Sequence, residues 1–132
     1  MKFLDLKGKL GEGGFGQVYL AYDKMHKRKV AVKIINSHDH PLTPNMMNKE
    51  IEAFAKLRHK HIIKMYSWFP LPREHKVILV MEYLEGGELQ AYWQSKENKQ
   101  VSESEAKEIM TQLLSAIEYC HNLNVIHRDL KF

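Results

Sequence analysis

The chain has one cysteine, four prolines and no long apolar run. Cys120 cannot form a disulfide within the chain, which predicts a reducing, cytoplasmic setting. No stretch approaches the roughly 18 consecutive apolar residues of a membrane-spanning helix, so we expect no membrane association. The first residues, Met1 to Lys7, are too polar for a secretory signal.

Acidic residues are scarce in the first quarter of the chain, and this is where the net charge of +4 originates. Residues 1–33 contain eight Lys/Arg and three Asp/Glu, whereas the remainder contains twelve and thirteen. The densest basic run, Lys24–Lys29, has no interleaved aromatic residues and no counterpart elsewhere. This pattern favours a solvated hairpin turn, and we expect no nucleic-acid partner.

Glycine is also scarce, except at one place. Five of the seven glycines lie between Gly8 and Gly16. Glycine is retained where the backbone takes unusual dihedral angles or approaches a ligand closely. The spacing Gly11-x-Gly13-x-x-Gly16 therefore predicts a loop whose backbone N–H groups lie over phosphates.

Three kinds of phosphate loop compete as interpretations of this stretch, and a glycine-rich surface hairpin is a fourth. A dinucleotide-binding loop leads into a helix, but residues 17–22 are rich in β-formers and predict a strand. A P-loop requires Gly-Lys-Ser/Thr, which this sequence lacks. The third kind joins two strands and has Val two residues after the last glycine, as Val18 is here. The surface hairpin stays open on this stretch alone.

Two charged residues lie at positions that are unusual for their type. Lys33 lies inside the predicted strand 29–35, between Val32 and Ile34. Glu50 borders the apolar face of a helix predicted over 44–58. Each fits a solvated side chain; alternatively, the lysine neutralises phosphate in a cleft and the glutamate points inward to a cation. The three potential ligands His38, Asp39 and His40 lie too close together on one loop for the usual metal-site spacing, so no metal site is predicted.

The pattern changes from strands to helices along the chain. The helix 44–58 is inserted after the third of five strands, predicted at 3–10, 17–23, 29–35, 62–69 and 75–83. Gly86-Gly87 then predicts a hinge, followed by a short helix over 88–96. Ser102 and Glu105 form a capping-box pattern that opens a long helix. That helix carries an apolar stripe: Ala106, Ile109, Met110, Leu113, Leu114, Ile117 and Cys120.

Five motifs in order resemble the eukaryotic protein kinase family along the whole chain. They are Gly11-x-Gly13-x-x-Gly16-x-Val18, Val30-Ala31-Val32-Lys33, Glu50, Met81–Leu89 and His127-Arg128-Asp129-Leu130-Lys131. The resemblance implies an α+β, kinase-like fold with a five-stranded antiparallel N-lobe sheet and one inserted helix. Residues 1–84 would be the ATP-binding N-lobe. Residues 85–132 would be the hinge end and the helical start of the C-lobe.

The resemblance also implies which residues bind ATP. Lys33 would hold the α- and β-phosphates and would be positioned by an ion pair with Glu50. Glu88 would bond the ribose hydroxyls. The glycine loop would cover the phosphates, the adenine would lie between apolar side chains, and the hinge would bond its edge. These positions are Leu10, Gly11, Glu12, Gly13, Gly14, Phe15, Gly16, Val18, Ala31, Met81 as gatekeeper, Glu82 and Leu84.

For catalysis, the resemblance implies that Asp129 accepts the proton of a protein substrate's hydroxyl. Lys131 would contact the γ-phosphate, as in serine/threonine-type kinases. The Mg²⁺ ligands of the family would fall after Phe132, so no metal ligand is predicted in the chain. We therefore expect the 132 residues alone to be inactive, poorly soluble and weak in ATP binding. A pseudokinase or regulatory fragment is the alternative, and the hinge resembles calmodulin-dependent or energy-sensing kinases.

Overall fold

A computed structural model describes residues 2–13, 16–38 and 43–126. The chain divides into two compact units. One unit consists of residues 1–58 and 63–83, and the other of residues 59–62 and 84–132. Within the described ranges, no helix has the length and apolar character needed to cross a membrane.

The first unit is a five-stranded antiparallel sheet with one helix, α1 (Pro44–Ala55). The strands lie in the order β1-β2-β3-β5-β4. Their bounds are β1 (Leu4–Gly13), β2 (Gly16–Asp23), β3 (Arg28–Asn36), β4 (Met65–Leu71) and β5 (Lys76–Glu82). The predicted fold class, including the helix inserted after the third strand, is confirmed.

Both faces of the central strands β3 and β5 are covered. On one face, Met47 and Ile51 of α1 pack against Ile35, Val77 and Leu79 of the sheet. On the opposite face lies a second buried cluster of small and β-branched side chains: Ala21, Val30, Val32, Ile78 and Val80. Burial on both faces explains why the sequence of β5 is apolar without alternation.

Helix α1 is shorter than predicted. It begins as expected, with Thr43 as N-cap, whose side chain accepts the Met46 N–H at 3.4 Å. It ends at Ala55 rather than at residue 58, because the Lys56 N–H turns back to the Ala53 carbonyl. Arg58 then donates from Nη1 to the Ala55 carbonyl at 2.8 Å. A cation thus does bind the helix end, but from outside the helix.

A turn at residues 59–62 replaces the predicted start of the fourth strand. The Ile62 N–H donates to the His59 carbonyl at 3.2 Å and closes this turn. Strand β4 consequently begins at Met65 rather than at the predicted residue 62. Beyond β4, residues Pro72–Glu74 form a 3-10 turn that leads into β5.

The basic run between β2 and β3 forms the predicted hairpin turn, and Asp23 organises it. The Asp23 carboxylate is buried and accepts the N–H groups of Met25 at 3.1 Å and His26 at 3.2 Å. Nδ1 of His26 lies 2.7 Å from its other oxygen. Burial by itself raises the pKa of Asp23, but the bonds from His26 and Met25 outweigh it and lower the pKa overall.

The second unit contains α2 (Leu89–Gln94) and α3 (Glu103–Asn122). The predicted capping box is confirmed: Ser102 Oγ accepts the Glu105 N–H, and Glu105 Oε2 accepts the Ser102 N–H, both at 3.1 Å. Glu105 also accepts the Tyr92 hydroxyl at 2.7 Å and the Lys96 ammonium at 3.1 Å. These hydrogen bonds lower the pKa of Glu105 to about 2. The bond from Tyr92 has the largest effect, followed by those from Ser102 and Lys96.

The apolar stripe of α3 is only partly covered within the described residues: two of its seven residues are exposed and the other five are half-buried. Met110 is 44% exposed and Leu114 is 57% exposed. The buried residue of this helix is Ala116, which the predicted stripe did not include. Within the described residues, burial therefore stabilises this helix only in part.

The two glycines that face each other across the β1–β2 hairpin should differ in their tolerance of a side chain. A Cβ at Gly16 would overlap the Ile34 carbonyl oxygen and lie 3.0 Å from its carbon. A Cβ at Gly13 would meet no described atom within 4 Å. We expect Gly16→Ala to cost about 1–3 kcal/mol and Gly13→Ala within about 0.5 kcal/mol. Thermal unfolding followed by circular dichroism measures both; equal melting temperatures would contradict the assignment.

Glu105 should make the second unit sensitive to acid. Because folding lowers its pKa, its contribution is fully present above the usual value of 4.5 and is lost as the pH falls through about 2. Glu105→Gln should therefore lower the melting temperature most at neutral pH and progressively less towards about pH 2. Glu103→Gln, in the same first turn, is the control. A difference that does not change with pH would argue against this linkage.

Candidate active site

The sheet register places four of the predicted site residues on one face. Val18 is paired with Lys33, and Ala31 is paired with Met81. Directly paired residues of antiparallel strands project to the same face, and so do residues two apart in a strand. This face also carries Ile35, so it is the face that α1 covers. The structure thus brings Val18, Ala31, Lys33 and Met81 together.

Lys33 is half-buried between two apolar neighbours. Val18 of β2 and Leu79 of β5 are its partners in the register. Among the residues that the structure describes, no carboxylate lies within 4.0 Å of its ammonium group. A half-buried cation without a carboxylate partner can bind an anion such as a phosphate without first breaking an ion pair.

The predicted ion pair between Lys33 and Glu50 is not formed in the described structure. Glu50 is exposed, whereas Met47 and Ile51 on the same helix are buried. Residues i and i+4 share a helix face, so the Met47–Ile51 stripe sets the orientation of α1. Glu50 lies beside this stripe and faces solvent.

The glycine stretch forms the β1–β2 hairpin rather than a loop that leads into a helix. Gly11 is paired with Val18, and Gly13 with Gly16. A register shift between Lys9 and Gly11 leaves Leu10 out of the pairing. The predicted loop residues Gly14 and Phe15 lie outside the described residues. The hairpin topology excludes the dinucleotide-binding alternative, in which a helix would follow.

A polar network supports the hairpin, and sequence reasoning missed it. The Glu12 carboxylate accepts the Lys9 ammonium and the Gln17 amide, the latter at 3.4 Å. Gln17 in turn accepts the Tyr19 hydroxyl. The bond from Lys9, with a smaller effect of Gln17, lowers the pKa of Glu12. In the strand register, Lys9 is paired with Tyr19 and Glu12 with Gln17. The network can therefore be recognised only when this register is known.

At the end of β5, Glu82 is tied to the residue before β4. Its backbone N–H donates to the Lys64 carbonyl at 2.8 Å, and its Oε2 accepts the Lys64 N–H at 3.2 Å. The Glu82 side chain therefore holds the start of β4 beside β5. Only the backbone of Glu82 remains for the predicted adenine contact.

The remaining predicted site residues belong to the second unit. Leu84 is exposed, and its carbonyl accepts the Gly87 N–H at 3.4 Å. Gly87 has a φ of 76°, which favours glycine. Glu88 is the exposed N-cap residue of α2. The predicted catalytic residues Asp129 and Lys131 lie outside the described residues.

Comparison with known proteins identifies relatives along nearly the whole chain. The family described as protein kinase domain matches residues 4–132. The carbon catabolite-derepressing protein kinase of Saccharomyces cerevisiae is 41% identical over 124 residues, covering 92% of this chain and 19% of that protein. The NUAK family SNF1-like kinase 1 of Homo sapiens is 36% identical over 129 residues, covering 96% of this chain and 19% of that protein.

The serine/threonine-protein kinase SIK2 of Gallus gallus is 38% identical over 132 residues, covering 98% of this chain and 16% of that protein. The chain thus spans less than a fifth of the length of these relatives. Their names agree with the energy-sensing group that the hinge motif resembles. The family match covers residues 4–132, and the sheet with its inserted helix and the order of the motifs agree with it. The chain therefore belongs to the protein kinase domain family.

Proposed function

We propose that this chain forms the ATP-binding part and the helical start of a serine/threonine protein kinase. The reaction is transfer of the ATP γ-phosphate to serine and threonine hydroxyls of protein substrates. The observation that carries the proposal is Lys33: a half-buried cation without an ion pair in the described structure, on one sheet face with Val18 and Ala31. A cytoplasmic location is part of the proposal and rests on the lone Cys120 and on the kinase family.

In this proposal the β1–β2 hairpin covers the ATP phosphates, and Lys33 binds the α- and β-phosphates. A charge-assisted bond from a half-buried ammonium is stronger than a bond between neutral groups. Val18 and Ala31 contribute apolar contacts to the adenine, with Leu10 on the neighbouring strand. Met81 borders the adenine site, and the Glu82 carbonyl and Leu84 N–H bond its edge.

Glu50 positions Lys33 when ATP is bound. The described pair is open, so α1 must rotate or shift to bring the carboxylate to the ammonium. Protein kinases require this lysine–glutamate pair for catalysis. The open pair is equally compatible with the alternative, a regulatory pseudokinase that binds nucleotide without transferring phosphate.

Kinases of this family generally use ATP together with Mg²⁺. Among the described residues, no group of three His, Cys, Asp or Glu side chains is arranged to hold a metal ion. Bound Mg²⁺ neutralises charge on the transferred phosphate. The proposed tasks of this chain are therefore phosphate binding by Lys33, proton acceptance from the substrate hydroxyl by Asp129 and γ-phosphate contact by Lys131.

Loss of either principal residue should abolish most phosphoryl transfer. Lys33→Met removes phosphate binding, and Asp129→Asn removes the proton acceptor, so each should lower kcat by at least about 100-fold. Transfer of radiolabel from ATP to serine, threonine and tyrosine peptides is measured with the longest natural protein that contains this chain. The 132 residues alone are assayed beside it and should show no turnover.

Lys49→Met, which removes an exposed lysine of α1, is the matched control for Lys33→Met and should retain activity. Full activity of Lys33→Met or Asp129→Asn would overturn the proposed mechanism. Transfer mainly to tyrosine would refute the serine/threonine assignment. Nucleotide binding without turnover in the longest protein would support the pseudokinase instead.

Glu50→Gln tests the positioning role separately. The amide keeps the shape of the side chain but not its charge, so kcat should fall while thermal stability stays unchanged, because Glu50 is exposed. Glu52→Gln, also exposed on α1, serves as the comparison. A kcat that is equally affected in both variants would indicate that the Lys33–Glu50 pair has no special part in the reaction.

A further inference from the structure

His59 uses one ring nitrogen to close the turn 59–62 and the other to attach that turn to α3 within the second unit. Its Nδ1 accepts the backbone N–H of His61 at 3.0 Å. Its Nε2 lies 3.2 Å from Oγ of Ser115. The centroid of its ring is 5.2 Å from that of Tyr119, one helical turn after Ser115. One imidazole thus joins the backbone of the turn to a helix more than 50 residues away.

The bond from His61 fixes the protonation state of the ring. A backbone N–H can only donate, so Nδ1 of His59 carries a lone pair and no proton. A neutral imidazole has one N–H, which must then be on Nε2 and donate to the Ser115 oxygen. In the cationic ring both nitrogens carry protons. The Nδ1–H would then face the His61 N–H, and that hydrogen bond would be lost.

Several other titratable groups lie along the turn and the facing part of α3. The turn contributes Lys60 and His61, whose ring centroid is 5.6 Å from that of His59. Helix α3 contributes Lys107 and Glu108, which line an open groove of about 540 Å³ beside the turn, and Tyr119. His61 is the group that an experiment must separate from His59, because it is a second imidazole whose ring lies beside the first.

We infer that His59 is a proton-sensitive closure of the turn 59–62: the neutral ring accepts the His61 N–H, and protonation at Nδ1 breaks that bond, whereas Nε2–H still donates to Ser115 on α3. Histidine side chains change charge between about pH 5 and pH 8. The bond from the His61 N–H to Nδ1 of His59 is therefore present on the alkaline side of that range and is lost on the acidic side. The described structure corresponds to the form in which this bond is made and the ring is neutral.

Hydrogen–deuterium exchange of the longest natural protein that contains this chain, read by mass spectrometry with residue-level fragmentation, tests the inference. The quantity is the protection factor of the His61 amide, which corrects for the intrinsic pH dependence of exchange. We expect it to fall several-fold, up to about tenfold, between about pH 8 and pH 5.5, as for loss of one hydrogen bond. A protection factor that is constant over this range would overturn the inference.

Substitutions at three positions separate the effect of His59 protonation from the effects of neighbouring residues. His59→Asn keeps an acceptor for the His61 N–H but does not titrate, so protection should persist at both pH values. His59→Phe should lose protection at both, and Ser115→Ala should reduce it at alkaline pH. His61→Gln keeps its backbone N–H, so the pH dependence should persist.

If His59→Phe does not fold, His59→Asn still decides. Undiminished pH dependence in His59→Asn would assign the effect to another group and refute the proposal. Loss of the pH dependence in His61→Gln would have the same consequence.

Discussion

The pairing of β3 with β2 and β5 is the constraint on which the first unit depends. A slip of one residue would carry Lys33 to the opposite face and bring Ile34 into its place. Apolar burial on both faces prevents this, since Val30 and Val32 pack in one cluster and Ile35 in the other. The lysine is thus positioned by its neighbours in the strand rather than by an ion pair of its own.

The same constraint explains the tight contact at Gly16. This glycine is paired with Ile35, and its α-carbon faces the backbone of Ile34 so closely that a methyl group would overlap it. The strand that leaves the hairpin can therefore lie against β3 from its first residue. This fixes the position of Val18, two residues later, beside Lys33. One glycine of the motif has a packing reason that is independent of any ligand.

Features that depend on local chemistry could be predicted from the sequence. The strand around Lys33, the Thr43 cap and the Ser102–Glu105 capping box follow from periodicity and from neighbouring residue types. The end of α1 and the start of β4 could not, because the turn at His59 competes with both elements. The open state of Glu50 also depends on how Met47 and Ile51 seat the helix, which no single motif contains.

The residues proposed to be functional divide in the same way. Motif spacing identified Lys33 and Val18 separately, but their adjacency required the strand register. His59 carried no signal, because its partner Ser115 lies in a distant helix. Asp23 could have been found, since an aspartate two and three residues before turn N–H groups is a typical turn-forming pattern.

The charges that stabilise the fold differ from those proposed for catalysis in how they are satisfied. Asp23 accepts bonds from its own turn, and Glu105 from partners no more than 13 residues away, so both carboxylates are saturated and have lowered pKa values. Lys33 and Glu50 have no such partners in the described structure. An ammonium already bonded to a carboxylate would have to share or exchange that partner to bind phosphate. Leaving Lys33 open while burying its flanks keeps the cation in a partly desolvated position, where its attraction for an anion is stronger than in water.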